Sequence, residues 1–446
     1  MANFSTEVEQ ILKTVYAKEG ITNIFLRNDP LLKEFEPIHV SGKEQRLALN
    51  YAQGGAVSAN AQITKRLATS GIHAKEFVIT PGRVYTGFTY SNEDALASRD
   101  NAGAYISSVK QALDNATEAY RKTMGALLYG SGYGELATVA TEFSLANGAN
   151  TIAMPNHAIN AISEDEELEI KATKNATSVL ATVKVTGVAE DDNQITVEFA
   201  GTSAVTIPAN SVICIAGGTD SNGNPRFPVG LAGWIPTGTV ASTDSFFGAN
   251  RSSSRNRLAG NVVRAASGEA KYVTIQKLIL KLRRVQGSTD DFVIVMNDED
   301  RLALAAEIES KTYFQKVGGG KKDATVGYEN FGFSVSTSWV DKIYDSPYCP
   351  KGVAYIVAKD NLKIYSYTDT PRLINDGVAV NEPGTANTFA DVKVEDRPYQ
   401  ALVDDIFTIV PNEMTANGAS TYIQINFLGQ FVMEQPGKNG VAVFAD

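Results

Sequence analysis

Histidine and cysteine are scarce in this chain, and most metal centres and many catalytic sites are built from them. Its 446 residues include 3 histidines and 2 cysteines. His39, His73 and His157 stand far apart in the sequence. A metal centre needs His, Cys or carboxylates clustered at ligand spacing, so these positions offer no metal site. Cys214 and Cys349 read as two buried free thiols, with a disulfide as the alternative. No apolar run reaches the length of a membrane span. Residues Met1 to Thr6 lack the basic and apolar regions of a signal peptide, and neither end carries a lipidation motif. Synthesis in the cytoplasm is therefore expected. Basic charge is also short: 40 Lys and Arg oppose 50 Asp and Glu, a formal net charge of −10. A dedicated nucleic-acid binder carries a basic domain or stripe, and none is read here. That argues against tight gripping of nucleic acid, though not against a surface that faces it.

Catalytic vocabulary is equally thin. Asp220, Asn222 and Asn224 imitate the start of a calcium loop, but Pro225 replaces the required glycine and Leu231 the closing glutamate. Gly130, Gly132 and Gly134 brush against a dinucleotide fingerprint. They follow a helix instead of joining a strand to one, so they read as a helix stop. The Gly-Lys stretch from Val317 to Lys322 lacks the upstream glycine and the Ser/Thr of a phosphate loop and reads as a surface loop. There is no nucleophile elbow. Asp404, Asp405 and the run from Glu164 to Glu167 read as solvated charges. An enzymatic function has no local support.

What is present is a long β excursion followed by an unusually long amphipathic helix. A first arm from Arg46 to Tyr51 leads to a tip spanning Gly54 to Asn60. The returning arm runs from Ala74 to Tyr90 and carries Phe77, Ile79, Val84, Tyr85, Phe88 and Tyr90. Asp100 and Asn101 then offer an N-cap, and apolar residues recur at helical spacing from Tyr105 to Leu127 before Gly130. Such a helix spans about 40 Å at 1.5 Å per residue. A small glycine-tipped arm cannot bury its own faces and must find cover elsewhere.

The chain is long enough for two or three domains. A short capped helix is expected over residues 6–20, with Thr6 and Glu9 as a capping box and Gly20 behind it. Residues 135–165 read as irregular with short strands, and Leu168 to Gly217 as almost pure β. Thr219 to Arg264 is loop-rich, and Thr274 to Arg284 forms a helix with apolar and basic faces. Phe292 to Met296 reads as a strand buried on both faces, with Asn297 capping the next helix. Strands are expected at Phe333 to Thr337, Val353 to Val357, Leu362 to Tyr365, Phe407 to Val410 and Tyr422 to Phe427.

In this order the parts resemble the tailed-phage major capsid protein family, whose icosahedral shell-forming fold is shared with encapsulins. The likeness spans nearly the whole chain. It is carried by Phe77 to Tyr85 leading to the helix that ends at Gly130 and Gly132, by Val293 to Asn297 and the acidic-capped helix, and by Phe331 to Val335 followed by Val353 to Val357. The resemblance implies an α+β fold with an N-terminal arm at 1–37 and an extended loop (E-loop) at 38–90. It implies a peripheral domain at 91–164 with a spine helix at 101–129, a β-rich insertion at 165–217 and peripheral connections at 218–270. An axial domain at 271–395 would follow, and 396–446 would return to the peripheral domain. The implied role is structural and not enzymatic: a major capsid protein forming hexamers and pentamers of a phage head around double-stranded DNA, which it faces non-specifically. Scaffolding, portal and decoration proteins are implied partners, the virion the location, with no cofactor and no membrane. Lys65, Arg66, Phe77, Arg83, Tyr85 and Glu118 are the candidate contacts between subunits. The alternatives are an encapsulin-type compartment shell and, from another class, a multidomain hydrolase or binding module.

Overall fold

The computed structural model describes residues 29–40, 42–52, 58–67, 73–91, 118–286, 292–309, 333–335, 338–340, 342–366, 401–403, 407–414 and 420–445. The expected helix over residues 6–20, the first part of the spine helix (residues 101–117) and the loop 317–322 lie outside them.

Asn297 shows how local chemistry sets the α+β unit. Its side-chain oxygen accepts the Glu299 N–H at 3.0 Å, and its amide donates to the Cys349 carbonyl at 2.9 Å. Helix Asp298–Glu309 starts there, with Asp298, Glu299 and Asp300 at its positive end. The preceding strand, Phe292–Met296, is buried at every position. It pairs in parallel with Lys342–Asp345 and antiparallel with Val353–Ala358, so it is a central strand, as its unbroken apolar run requires. Helix Lys271–Gln286 covers the sheet with Ile275, Leu278, Ile279 and Leu282, one apolar stripe.

The remaining strands of this sheet come from further away. Gly440–Val443 lies between Val353–Ala358 and Asn261–Arg264. The C-terminal strand thus joins the sheet of the α+β unit. No local pattern announces this, since four small and apolar residues fit any buried strand.

A second sheet is organised by the long strand Ser420–Met433. One edge pairs with Gly82–Ser91 over its first ten residues. The other edge takes Phe407–Met414 and then Leu362–Ser366, beyond which lies Glu36–His39 in parallel. The expected single returning arm is thereby split. His73–Ile79 pairs with Gln45–Ala52 as a hairpin. After Thr80 and Pro81 the chain leaves the hairpin and joins the second sheet. Gln430 pins the crossing: it donates to the Thr80 carbonyl at 3.2 Å and accepts the Val229 N–H at 2.5 Å. Gly82 is required there, since a Cβ would lie 2.4 Å from the Pro228 nitrogen.

The β-rich module is larger than the sequence suggests. Its six-stranded sheet draws on Glu135–Thr138 and Gly148–Ala153 as well as Glu167–Lys171, Ala181–Ala189, Gln194–Phe199 and Val212–Ile215. The short strands expected within residues 135–165 thus supply two of its members. Ile195, Val197 and Phe199 alternate inward as expected. Cys214 and Cys349 are both buried and free.

Residues 118–129 are helical, with Tyr120, Met124, Leu127 and Leu128 in the core. Gly130 closes the helix through its N–H to the Leu127 carbonyl at 3.1 Å. The helix end is tied to two other segments by buried Asp29. Its carboxylate accepts from the Leu31 N–H and the Ser346 hydroxyl, both at 2.8 Å, and from the Tyr129 hydroxyl at 3.2 Å.

Candidate interaction surface: a rooted hairpin and a groove

One face of the hairpin is exposed along its length; on the other, Leu47, Leu49 and Tyr51 are half-buried against the core and Arg257 donates to the Tyr51 carbonyl at 2.8 Å, and only the base is fully buried. Gln45–Ala52 and His73–Ile79 alternate between exposed and half-buried positions until Phe77 and Ile79, which are fully enclosed. At ~3.3 Å per residue the eight-residue strand reaches about 25 Å. Of the expected tip, Gly54 to Asn60, only residues 58–60 are described, and a helix, Ala61–Leu67, follows them. Asn60 caps it, accepting the Gln62 N–H at 2.9 Å on its side-chain oxygen. Lys65 is exposed on this helix, Arg66 follows it in sequence, and Ile63 is 39% exposed.

The root is aromatic and charged in a fixed arrangement. Phe77 packs against Trp234 and Phe246 at centroid distances of 6.1 and 6.3 Å. Phe247 completes the cluster, 4.6 Å from Phe246, and its carbonyl accepts the Val78 N–H at 2.9 Å. Trp234 donates its indole N–H to the Phe431 carbonyl at 2.8 Å, which satisfies the one polar atom of a buried ring. The Arg251 guanidinium lies 3.9 Å from the Phe246 ring centroid and grips Asp244 through two nitrogens at 2.8 and 3.2 Å. Phe77, expected at a contact between subunits, therefore spends its whole surface inside its own chain. A sequence pattern cannot distinguish an aromatic that roots an arm from one that the arm presents.

Arg83, Tyr85 and Glu118, by contrast, come together. They line one groove of 1140 Å³ between strand Gly82–Ser91, helix 118–129 and the β-rich module. Arg83 is exposed and Tyr85 is 55% exposed. Glu118 is paired with Arg121 one turn along its own helix. Lys65 and the tip helix do not line this groove.

The groove also holds a residue that the sequence reading treats as solvated. Glu166 is half-buried beneath it, and its Oε2 is enclosed without a hydrogen-bond partner. Burial raises its carboxyl to about 7, opposed by a backbone hydrogen bond at Ser163 and the charge of Lys122. A neighbouring pair behaves differently: exposed Asp165 is bridged to Lys184 at 2.8 Å. The acidic run alone gives no hint that one of its four members turns inward.

Among the described residues no group of His, Cys, Asp and Glu is placed to hold a metal, and no helix is long and apolar enough to cross a membrane. Asp220 spends its carboxylate on its own turn, accepting the Asn222 and Asn224 N–H groups at 2.8 and 2.7 Å.

No family model and no curated protein matches the sequence. Among solved structures, the capsid asymmetric unit of cyanophage A-1(L) aligns over 93% of this chain and 92% of its own, with 13% identity and a TM-score of 0.52. The fold is that of a phage capsid protein. The holo-SrpI encapsulin complex of Synechococcus elongatus aligns over 93% of this chain and 86% of its own. Its 7% identity and TM-score of 0.40 are too low to add an argument. At such identities the likeness concerns architecture, and residue roles must come from this chain's own chemistry.

Proposed function

We propose that this chain is a structural shell subunit, the major capsid protein of a tailed phage, which assembles with copies of itself into hexamers and pentamers around double-stranded DNA. The observation that carries the reading is the hairpin: anchored by a buried aromatic root and half-buried on one face against its own chain, yet exposed along the whole of its other face. An arm of this kind gains its burial from another molecule. In a capsid-like fold, the molecule that supplies it is the next copy. The proposed role is mechanical, so the chain needs no catalytic centre, and the virion is its place of work. Strand Gly82–Ser91 and helix 118–129 would offer Arg83, Tyr85 and Glu118 to a neighbour, while Lys65 and Arg66 travel with the tip.

Electron microscopy of the purified full chain, with scaffold supplied, tests the reading. Angular shells or capsomer rings are expected. Deleting residues 54–72 removes the tip helix and leaves the Phe77 root, so a soluble, folded subunit that builds no stable shells is the expected product. Monodisperse monomers of the intact chain at every concentration would sink the proposal. Normal particle yield from the deletion variant would remove the arm from it.

A further inference from the structure

The chain is acidic overall, but its charge is not spread evenly. Between Arg251 and Arg284 the sequence holds nine arginines and lysines and a single acid, Glu269. The absence of a basic stripe, read from net charge and local runs, is therefore only half the account, because the fold gathers part of this excess.

Arg255, Arg264 and Lys281 come from three different elements: the helical turn Arg255–Leu258, strand Asn261–Arg264 and helix Lys271–Gln286. None has a carboxylate within ion-pair distance among the described residues. Each is braced by a backbone carbonyl. Arg255 donates to Pro236 at 3.0 Å, Arg264 to Thr237 at 2.5 Å and Lys281 to Val262 at 3.1 Å. Pro236 and Thr237 are adjacent, so the two guanidiniums are held side by side. Their charges oppose one another. Burial first, and then Arg264 and Arg251, lower the Arg255 guanidinium, and burial and Arg255 lower the Lys281 ammonium. The Arg255 Nε–H is also enclosed with no acceptor. Arg251, by comparison, is neutralised by Asp244.

Carbonyl braces fix the cations in place without cancelling their charge, and a donor left over in such a cluster is costly unless something accepts from it. A protein carboxylate would relieve this, yet none of the described residues supplies one. We infer that Arg255, Arg264 and Lys281 form a binding site for phosphodiester oxygens, through which the subunit holds the backbone of duplex nucleic acid without reading its sequence. Arginine forks suit phosphate geometry, and the lysine adds a point charge. That the polymer is DNA enclosed by a shell rests on the proposed function. That the cluster takes phosphate does not.

The test uses the full chain and a fluorescent duplex of random sequence, with binding followed by anisotropy from about 50 to 200 mM salt. Binding that weakens steeply with salt is expected. The double variant R264Q/K281Q should bind roughly tenfold or more weakly, with a log–log salt slope shallower by about two. K184Q, which removes a charge from the distant Asp165 bridge, should bind as the parent does. Thermal melting checks that the variants fold, and R264K, which keeps charge but loses the fork, should bind between parent and R264Q. Unchanged binding by the double variant would overturn the assignment. So would equal competition by polyglutamate, which would make the cluster a contact for protein carboxylates, or displacement of the duplex by millimolar inorganic phosphate, which would make it a small-anion site. Duplex binding by a chain that never forms shells would leave the cluster standing and remove the shell.

Discussion

Glu166 sits where three parts of the molecule meet, and its protonation is coupled to that meeting. An ordinary glutamate ionises near 4.5, whereas burial raises this one to about 7. The folded state therefore binds the proton more tightly than the unfolded chain does. Its contribution is fully present below pH about 4.5 and is lost as pH rises through about 7, the sign for a raised carboxylate. Between those limits this group should lower stability on the order of 2 kcal/mol. Glu166→Gln keeps the shape and removes the charge, so the variant should melt higher than the parent at pH 8 and about equally at pH 5. Melting curves across that range check it. Identical pH dependence in parent and variant would show that the carboxylate is solvated and that its Oε2 finds a partner. Among the charged groups that share its groove, Lys122 on helix 118–129 attracts it, Arg83 and Arg226 carry the same sign as Lys122, and Glu118, Glu164, Asp165, Glu167 and Glu190 share its own sign.

Among the elements, the hairpin separates stability from assembly because its two ends meet different environments. Phe77→Ala should cost about 3–5 kcal/mol in chemical denaturation, since it empties a site between Trp234 and Phe246. Ile63→Asp, on the exposed tip helix, should change stability by less than about 0.5 kcal/mol and still reduce particle yield. A tip variant that assembles normally, measured by sedimentation, would place the contact elsewhere. The same hairpin marks how far the sequence could be read. Its first strand and the Phe292–Met296 strand were legible because alternation and unbroken apolarity are local signals. So was Asn297, since a cap is written within a few residues. The split of the returning arm was not, because Gly82–Ser91 chooses Ser420–Met433, a partner more than three hundred positions away. The tip helix escaped notice because its seven residues follow a glycine-rich run that suggests a turn. The cation cluster was hidden by its arithmetic: an excess of acids elsewhere masks basic residues that only the fold brings together.

For the molecule as a whole, the decisive contacts join its ends to its middle. Glu36–His39 pairs with Leu362–Ser366, Ser91 stands opposite Ser420, and Asn261–Arg264 lies along Gly440–Val443. Asn439, fully buried, ties the last strand to both neighbours: its carbonyl accepts the Asn261 N–H and its side-chain oxygen the Ala358 N–H, each at 2.9 Å. A fold closed by such distant pairings cannot complete its α+β sheet until the final residues are available, and loop closure makes that step slow. This order matters for a subunit that is to assemble, because unpaired strand edges invite wrong partners. Ending the chain after Glu434 removes an interior strand and leaves Val353–Ala358 and Asn261–Arg264 facing a gap. The loss should rival a domain's whole stability of about 5–15 kcal/mol, so the truncated chain should be insoluble or melt without cooperativity. The tip deletion, which removes more residues, should leave melting nearly unchanged. Calorimetry of the two products side by side decides the matter: a cooperative transition in the truncated chain within a few degrees of the parent would mean that the C-terminal strand is an accessory. The contrast follows from where the removed residues lie, one set inside a sheet and the other around an exposed helix beyond the hairpin strands.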